Sequence, residues 1–390
     1  MTTRDVIRAS VERIPVSTNS AAWLPEARAD LVVAPAEMPV PGPGELLVRT
    51  RAVAVNPLDE VKQHTGNLMY RWLPYPVVLG EDVAGVVVAV GRGVTRFAPG
   101  DRVVAYAVGM ERGSRHHAEG GFQSFVVVRE GLTAPVPDTL AFHDAVVLPL
   151  AVSTAATALF QNDHLALPPP TVPRRAEPAP GRGTVVVWGG STSVGSNAIQ
   201  LAAASGHRVA ATASPRNHER MRELGADVVV DYRDSTAVRQ LSDALEGDDV
   251  KGILAVGTGS GAPAVALAVA TGARRVALAS PAVSFAELPR RGGPSAAAVR
   301  TLTRMGASTA LTQLTARRHG ITASFVWGST LMSNEVGRML WHDYLPRALA
   351  DGTHACAPTA EVVGEGLGAI QTAIDRLRAG VSATKLVVTL

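Results

Sequence analysis

The chain has 390 residues, 46% of them apolar, and a formal net charge of +3. That length suits two domains with ample buried cores and argues against disorder. Only Lys62, Lys251 and Lys385 among its 37 basic residues are lysines, and no basic run stands out. Nucleic acid is therefore not the expected partner, whereas small anionic ligands stay open. The amino terminus lacks the apolar stretch of a signal peptide, and no apolar run reaches the length of a membrane span. One cysteine, Cys356, excludes an intramolecular disulfide and a cysteine-rich zinc site. The expectation is a soluble, cytoplasmic protein without membrane contact.

Residues 44–59 and 76–106 predict β structure, broken by turns at Pro41-Gly42-Pro43-Gly44 and Pro99-Gly100-Asp101, as in a barrel or bent sheet. Residues 121–128 add a strand after a polar loop, 111–120. Residues 145–160 are alanine-rich and predict buried helix, and the proline-rich stretch 167–183 predicts a surface connection. From Thr184 the pattern alternates: strand 184–188, helix 193–205, strand 207–213, helix 217–224, strand 227–231, and onward through 236–245, 252–256, 261–272 and 274–279. Such alternation implies a doubly wound parallel sheet, hence an α/β fold. A helix over 364–379 and a strand over 385–390 end the chain.

The turn Gly189-Gly190-Ser191-Thr192-Ser193-Val194-Gly195 lies between a strand and a helix, where dinucleotide pyrophosphates rest. Thr192 stands where a glycine is common, so the fingerprint is incomplete, but Ser191, Thr192 and Ser193 offer hydroxyls to phosphate. After the second strand no acid is present to take a ribose 2′-hydroxyl. Ser214, Arg216 and Asn217 offer donors suited to a 2′-phosphate, with Tyr232 at the end of the third strand beside adenine. As a set these favour NADPH; singly, Arg216 and Tyr232 read as ordinary loop residues.

Several ordered motifs resemble the medium-chain dehydrogenase/reductase superfamily, in its zinc-independent quinone-oxidoreductase-like branch. Within it the chain is most similar to the trans-acting enoyl reductases of fungal polyketide pathways. The motifs are Ala54-Val55-Asn56-Pro57-Leu58-Asp59, Pro76-Val77-Val78-Leu79-Gly80-Glu81-Asp82, Pro99-Gly100-Asp101-Arg102-Val103, the Gly-Gly-Ser-Thr-Ser turn, Trp327-Gly328-Ser329-Thr330, Asn334-Glu335-Val336-Gly337 and Val381-Ser382-Ala383-Thr384-Lys385. The resemblance implies a GroES-like β-rich catalytic domain, residues 1–150 plus 325–390, and an inserted Rossmann domain, 151–324. It also implies an oxidoreductase whose site lies in the cleft between them.

Zinc-dependent relatives carry cysteine and histidine where Asn56 and Glu81 stand here, and a four-cysteine lobe that is missing. His116-His117 reads as an exposed pair, so no metal is expected. Without zinc, reduction of a double bond conjugated to a carbonyl becomes the economical chemistry, needing one or two donors for the developing enolate. The resemblance places Thr154 at the nicotinamide, although a helical threonine bonding back to its own turn is equally compatible. It places Asn56 and Asp59 beneath the ring, with cofactor contacts from Val256, Gly257 and Thr258 and from Val381 and Ser382. Leu278, Ser280, Ser329, Leu331 and Met332 would line the substrate cleft, and Tyr344 would close it. Lys62 and Tyr70 are the candidate proton donors. Lys62 falls one residue late for the family's spacing and reads more plainly as an exposed lysine, while Tyr70 reads equally as a packing residue.

The implied substrate is a small molecule or an acyl thioester, with a carrier protein or synthase as partner. Two other functions stay open: a quinone reductase of the zeta-crystallin kind, and a non-catalytic NADPH-binding partner protein.

Overall fold

The computed structural model describes residues 18–175, 177–285, 288 and 296–390. Strands β1 (Asn19–Leu24) and β2 (Val32–Ala36) pair antiparallel. Strand β3 (Glu45–Ala54) leads into helix α1 (Pro57–Thr65), and β4 (Val77–Val78) adds to the other side of β1. The expected extended segment 44–59 thus turns helical at Pro57. Proline presets the backbone of a first helical turn, and the Asp59 carboxylate accepts the Asn56 amide at 2.9 Å.

Strands β5 (Asp82–Val90) and β6 (Arg102–Tyr106) follow, then a short helix α2 (His116–Glu119) and strands β7 (Phe125–Arg129) and β8 (Thr133–Pro135). The polar loop 111–120 therefore holds a helical turn. It is fixed by buried Glu119, which accepts from the Arg115 amide at 2.6 Å and from Arg129 Nε at 2.9 Å.

Helices α3 (Phe142–Ala145) and α4 (Pro149–Phe160) occupy the apolar stretch 142–160, long enough to span a membrane but 78% buried inside the fold. The proline-rich connection crosses the surface, stitched down where Thr171 and Ala179 donate to Ala204 and Gly206 at 2.9 and 2.8 Å.

Next come β9 (Thr184–Trp188), α5 (Ser193–Ala204), β10 (Arg208–Thr212), α6 (His218–Leu224), β11 (Val228–Val230), α7 (Ala237–Ala244), β12 (Val250–Ala255), α8 (Gly261–Thr271) and β13 (Arg275–Leu278). Helix α9 (Ala296–Arg318) and β14 (Thr322–Phe325) were not foreseen from sequence. All six strands run parallel in the order β11-β10-β9-β12-β13-β14. Every residue of β9 is buried, as a central strand covered on both faces requires. The order reverses between β9 and β12, which is where such sheets bind nucleotides.

The tail passes through a tight turn (Gly328–Ser333), α10 (Glu335–Arg338), a wide helical turn (Met339–Tyr344), α11 (Leu345–Ala350), β15 (Thr359–Glu365), α12 (Ala369–Ala379) and β16 (Thr384–Thr389). The predicted helix over 364–379 begins five residues late, because β15 runs through Glu365. Strand β16 lies between β15 and β3 in a sheet ordered β15-β16-β3-β5-β6-β8, so the tail completes the sheet that the chain began.

Candidate functional site

The nucleotide half of the site is built at the carboxyl ends of β9 to β12. Gly189 leaves β9 with φ +92°, and a side-chain carbon there would meet the Val256 carbonyl oxygen at 2.2 Å. Gly195 is as tight, 2.2 Å from the Gly189 carbonyl oxygen, so α5 can approach the strand end only because it has no side chain there. Thr192 is the amino-terminal cap of α5. Its hydroxyl donates to the Gly189 carbonyl at 2.9 Å and accepts the Gly195 amide at 3.0 Å. Thr192 therefore spends its side chain on the shape of the turn rather than on a phosphate, which corrects one of three expected hydroxyls. Ser191, Ser193 and Val194 remain partly open. The Gly257 amide donates to Ser280 Oγ at 2.8 Å, joining the ends of β12 and β13.

Helix α5 is also held from behind. Asn197 Nδ2 donates to the Ser193 and Ala357 carbonyls at 2.8 and 3.0 Å, which leaves Oδ1 as acceptor from His354 Nε2 at 2.8 Å. His354 Nδ1 must then accept the Tyr344 hydroxyl, 3.3 Å away. Tyr344 is thus committed to a buried tether behind the nucleotide helix and is not a lip on the substrate cleft. Burial pushes His354 down to about 3. The folded state refuses a proton that the unfolded chain takes up below about pH 6.5, so this part of the stability is present above that pH and is lost as pH falls toward 3. His354→Gln keeps a donor but cannot titrate. Unfolding free energies from urea melts between pH 6 and 4 are expected to fall more steeply for the wild type, by ~1.4 kcal/mol per pH unit. Parallel slopes would show that His354 is not buried neutral.

A charged hub lies below the other half of the site. Asp82 Oδ2 accepts from Asn56 Nδ2 at 2.8 Å and pairs with Lys385 Nζ at 2.8 Å, while its Oδ1 accepts the Leu150 amide at 2.7 Å, at the start of α4. Lys385 also bonds Asn56 Oδ1. Asp59 Oδ1 accepts the Gly80 amide at 3.0 Å, and burial lifts its carboxyl to about 7. Asn56 and Asp59 are therefore frame residues whose polar atoms have partners within the chain. Asp82 and Lys385 stand in the sequence only as parts of motifs; the acid pair Glu81-Asp82 in an apolar run is the one signal of their role.

Against this hub stand Tyr70, Glu81, Tyr106 and Glu111. The Tyr106 hydroxyl lies 3.3 Å from Glu81 Oε1, and Trp327 Nε1 lies 3.3 Å from Glu111 Oε2. Rings of Trp72 and Trp327 flank Tyr70 at 5.4 and 5.7 Å. Burial pushes Glu81, Tyr70 and Glu111 upward, and their mutual charges push Glu81 and Tyr70 further. Glu111 was missed as a site residue because nothing in its loop marks it.

Lys62 is buried, which overturns its reading as an exposed lysine. Its Nζ donates to the Gly66 and Tyr70 carbonyls at 3.3 and 3.2 Å and to Asn67 Oδ1 at 3.4 Å, and it sits 4.5 Å from the centre of the Tyr75 ring. Burial lowers it to about 8. Every contact fastens the turn that carries Tyr70. Thr154 Oγ1 donates back to the Leu150 carbonyl at 2.8 Å, within its own helix, and packs on Gly328, where a side-chain carbon would lie 2.3 Å from it. Ser329 is buried beside Glu111 and Leu331 is wholly buried in the core, while Leu278, Ser280 and Met332 are partly open. Val381 and Ser382 are exposed before β16, and Arg216 and Tyr232 are exposed at the nucleotide edge, where Arg233 stacks on Tyr232 at 5.4 Å. His116 and His117 bond the Gly109 and Pro76 carbonyls at 2.6 and 3.0 Å. Among the described residues no group of three or more His, Cys, Asp or Glu side chains has metal-holding geometry.

Residues 42–138 match the alcohol dehydrogenase GroES-like domain. Dehydrogenase pigH of Monascus ruber is 42% identical, over 96% of this chain and 100% of that protein. Trans-enoyl reductase himH of Aspergillus japonicus is 36% identical, over 95% of this chain and 97% of its own. The chain is a medium-chain dehydrogenase/reductase. A mycobacterial structure of Rv1454c complexed with NADPH shares the fold, with a TM-score of 0.62 at 23% identity over 96% of this chain and 100% of that one.

A medium-chain dehydrogenase/reductase is an oxidoreductase with a nicotinamide cofactor, and the residues present fit that group. Gly189 and Gly195 let α5 begin close against the end of β9, which puts a helix amino terminus where a pyrophosphate would rest. Asn217 is buried with its Nδ2 lacking a partner, a donor waiting at the end of β10. Ser191, Ser193 and Val194 would hold the phosphates. Ser214 and Asn217 would hold the adenosine end.

Proposed function

We propose that this protein is an NADPH-dependent, zinc-independent reductase of a carbon–carbon double bond conjugated to a carbonyl, acting in the cytoplasm. The observation that carries the reading is the residue set where zinc-dependent relatives hold their metal. Asn56 is fully engaged with Asp82 and Lys385, and Glu81 is enclosed by other acids and tyrosines. Neither is available as a zinc ligand in the way cysteine and histidine are. The bound nicotinamide would supply a hydride; the chain would supply position, water-poor surroundings from the packed rings of Tyr70, Trp72 and Trp327, and donors for the carbonyl oxygen. Tyr70 holds the proton for the α-carbon, with Lys62 fixing its backbone, and Thr154 positions the ring from α4. Relatives named trans-enoyl reductases support the reaction class. The substrate we propose is a small molecule or an acyl thioester, the latter presented by a carrier protein or synthase.

Preference for NADPH rests on the neutral and cationic end of β10, where Ser214, Arg216 and Asn217 replace the acid that accepts a ribose hydroxyl. Asn217→Asp is expected to raise the KM for NADPH at least tenfold while barely altering that for NADH. Steady-state assays with both cofactors, against an enone, an enoyl thioester and a quinone, with and without a chelator, check the whole reading. Equal use of the two cofactors by the wild type, or loss of activity on chelation, contradicts it. A quinone reduced faster than every enone makes it a quinone reductase, and cofactor binding without turnover makes it a binding protein.

A further inference from the structure

Three buried oxygen atoms around Tyr106 and Trp327 have no hydrogen-bond partner: the Tyr70 hydroxyl, Glu81 Oε2 and Glu111 Oε1. Tyr70 is 2% exposed and Glu81 0%. A buried polar atom left without a partner costs about 1–3 kcal/mol, so two or three together mark a place built for something that arrives.

The backbone is arranged to aim the first two. Tyr70 has φ +51°, a left-handed conformation that a tyrosine rarely adopts, and Lys62 holds its carbonyl at 3.2 Å. Gly80 has φ +96°, and a side-chain carbon there would lie 2.4 Å from the Phe122 ring, which fixes the path of the chain into Glu81. The groups that act on Glu81 are Asp59, Glu111 and Asp82, all of which disfavour its charge, and the Tyr106 hydroxyl. The nearby cation, Lys385, is spent on Asp82 and Asn56. An ionised Glu81 would sit buried without a counter-charge, so it keeps its proton and is a donor, not an acceptor.

We infer that Glu81, as a neutral carboxylic acid, and the Tyr70 hydroxyl form the donor pair that receives the substrate's carbonyl oxygen in place of a Lewis acid, selecting uncharged conjugated carbonyls over free carboxylates. This rests on the reductase reading. As hydride reaches the β-carbon, the electron pair of the double bond moves to the α-carbon and carbonyl oxygen, and the two O–H groups hydrogen-bond to the oxygen as its charge grows. The Glu81 O–H bond stays intact, and as the enolate collapses the Tyr70 O–H bond breaks, its proton passing to the α-carbon and water reprotonating the tyrosine oxygen. A carboxylate in the same position would face Asp59, Asp82 and Glu111.

Glu81→Gln keeps a donor that cannot ionise, and Glu81→Leu removes it. In NADPH-dependent enone reduction by the full chain, wild-type kcat is expected to fall as pH rises through the titration of Glu81. Glu81→Gln should lose no more than about tenfold and lack that alkaline limb, whereas Glu81→Leu should lose roughly 10²–10³-fold. An alkaline limb that persists in Glu81→Gln, or equal damage from Gln and Leu, overturns the inference. Infrared difference spectra of the unliganded proteins at neutral pH decide independently of turnover. Wild type minus Glu81→Gln should show the carbonyl stretch of a neutral carboxylic acid, and a carboxylate band in its place overturns the assignment. A wild type that reduces no enone sinks the reductase reading, while the spectra still report the state of Glu81.

Discussion

Replacing Gly189 by valine is expected to abolish nucleotide binding and to destabilise the chain by roughly 3–6 kcal/mol. Two costs add there. The residue has φ +92°, and its first side-chain carbon would overlap the Val256 carbonyl oxygen at 2.2 Å. That oxygen is backbone, and its strand is bound at this point, since the Val256 amide donates to the Trp188 carbonyl at 2.8 Å. The turn cannot move aside on the other flank, where the Gly190 amide donates to the Thr212 carbonyl at 2.8 Å. Gly190→Ala provides the contrast. Its added carbon meets only side-chain atoms of Ile199, Ala211 and Met221 at 3.0–3.2 Å, which can give, so a loss of about 1 kcal/mol is expected. Urea unfolding followed by tryptophan emission, with nucleotide titration, compares the two. A Gly189→Val protein that binds nucleotide normally would show that the phosphates do not rest on this turn.

Lys385→Met is expected to cost about 3–5 kcal/mol, because it leaves Asp82 charged and buried without its cation. Lys385 is 4% exposed and Asp82 0%, so water cannot replace the lost partner. The damage reaches the chemistry, since Asp82 also holds the first turn of α4 through the Leu150 amide, and α4 carries Thr154. A kcat loss exceeding tenfold is expected alongside the fall in stability. Asp82→Asn in the same chain removes the orphaned charge and should restore most of the stability. A double variant no more stable than Lys385→Met would place the effect in lost packing instead of charge.

The parallel sheet was legible because its signals are local. Strands β9 to β13 are short valine- and alanine-rich runs between glycine turns, and their observed bounds lie within about two residues of the pattern. Helix α1 was hidden inside an apolar strand-like run, although Asn56, Pro57 and Asp59 together spell a helix start. Strands β1 and β2 carry no turn signal strong enough to set them apart. Strand β15 was masked by the helix that follows it. Site residues on motifs were found, and those that depend on distant contacts were not. Lys62 and Tyr344 show the limit most plainly: residue type suggested chemistry, and only the tertiary contacts reveal that one fastens a turn and the other tethers α5. Glu81 shows the converse, since burial and the approach of Asp59 and Glu111 from other segments push its carboxyl upward.

The place of β16 has a consequence for the order in which the protein forms. The parallel sheet draws all its strands from one continuous stretch, Thr184–Phe325, and can assemble from contacts made within it. The other sheet cannot. Its β3 pairs with β16, and Asn56 waits for Lys385 across 329 positions of chain. Closing so long a loop is slow and unrewarded until its final contacts form. Until then Asp82 has no cation. A chain caught midway would hold a formed turn at the end of β9 and an unformed hub around Asp82, so the half of the site built on Asp82 and Lys385 is the last to exist.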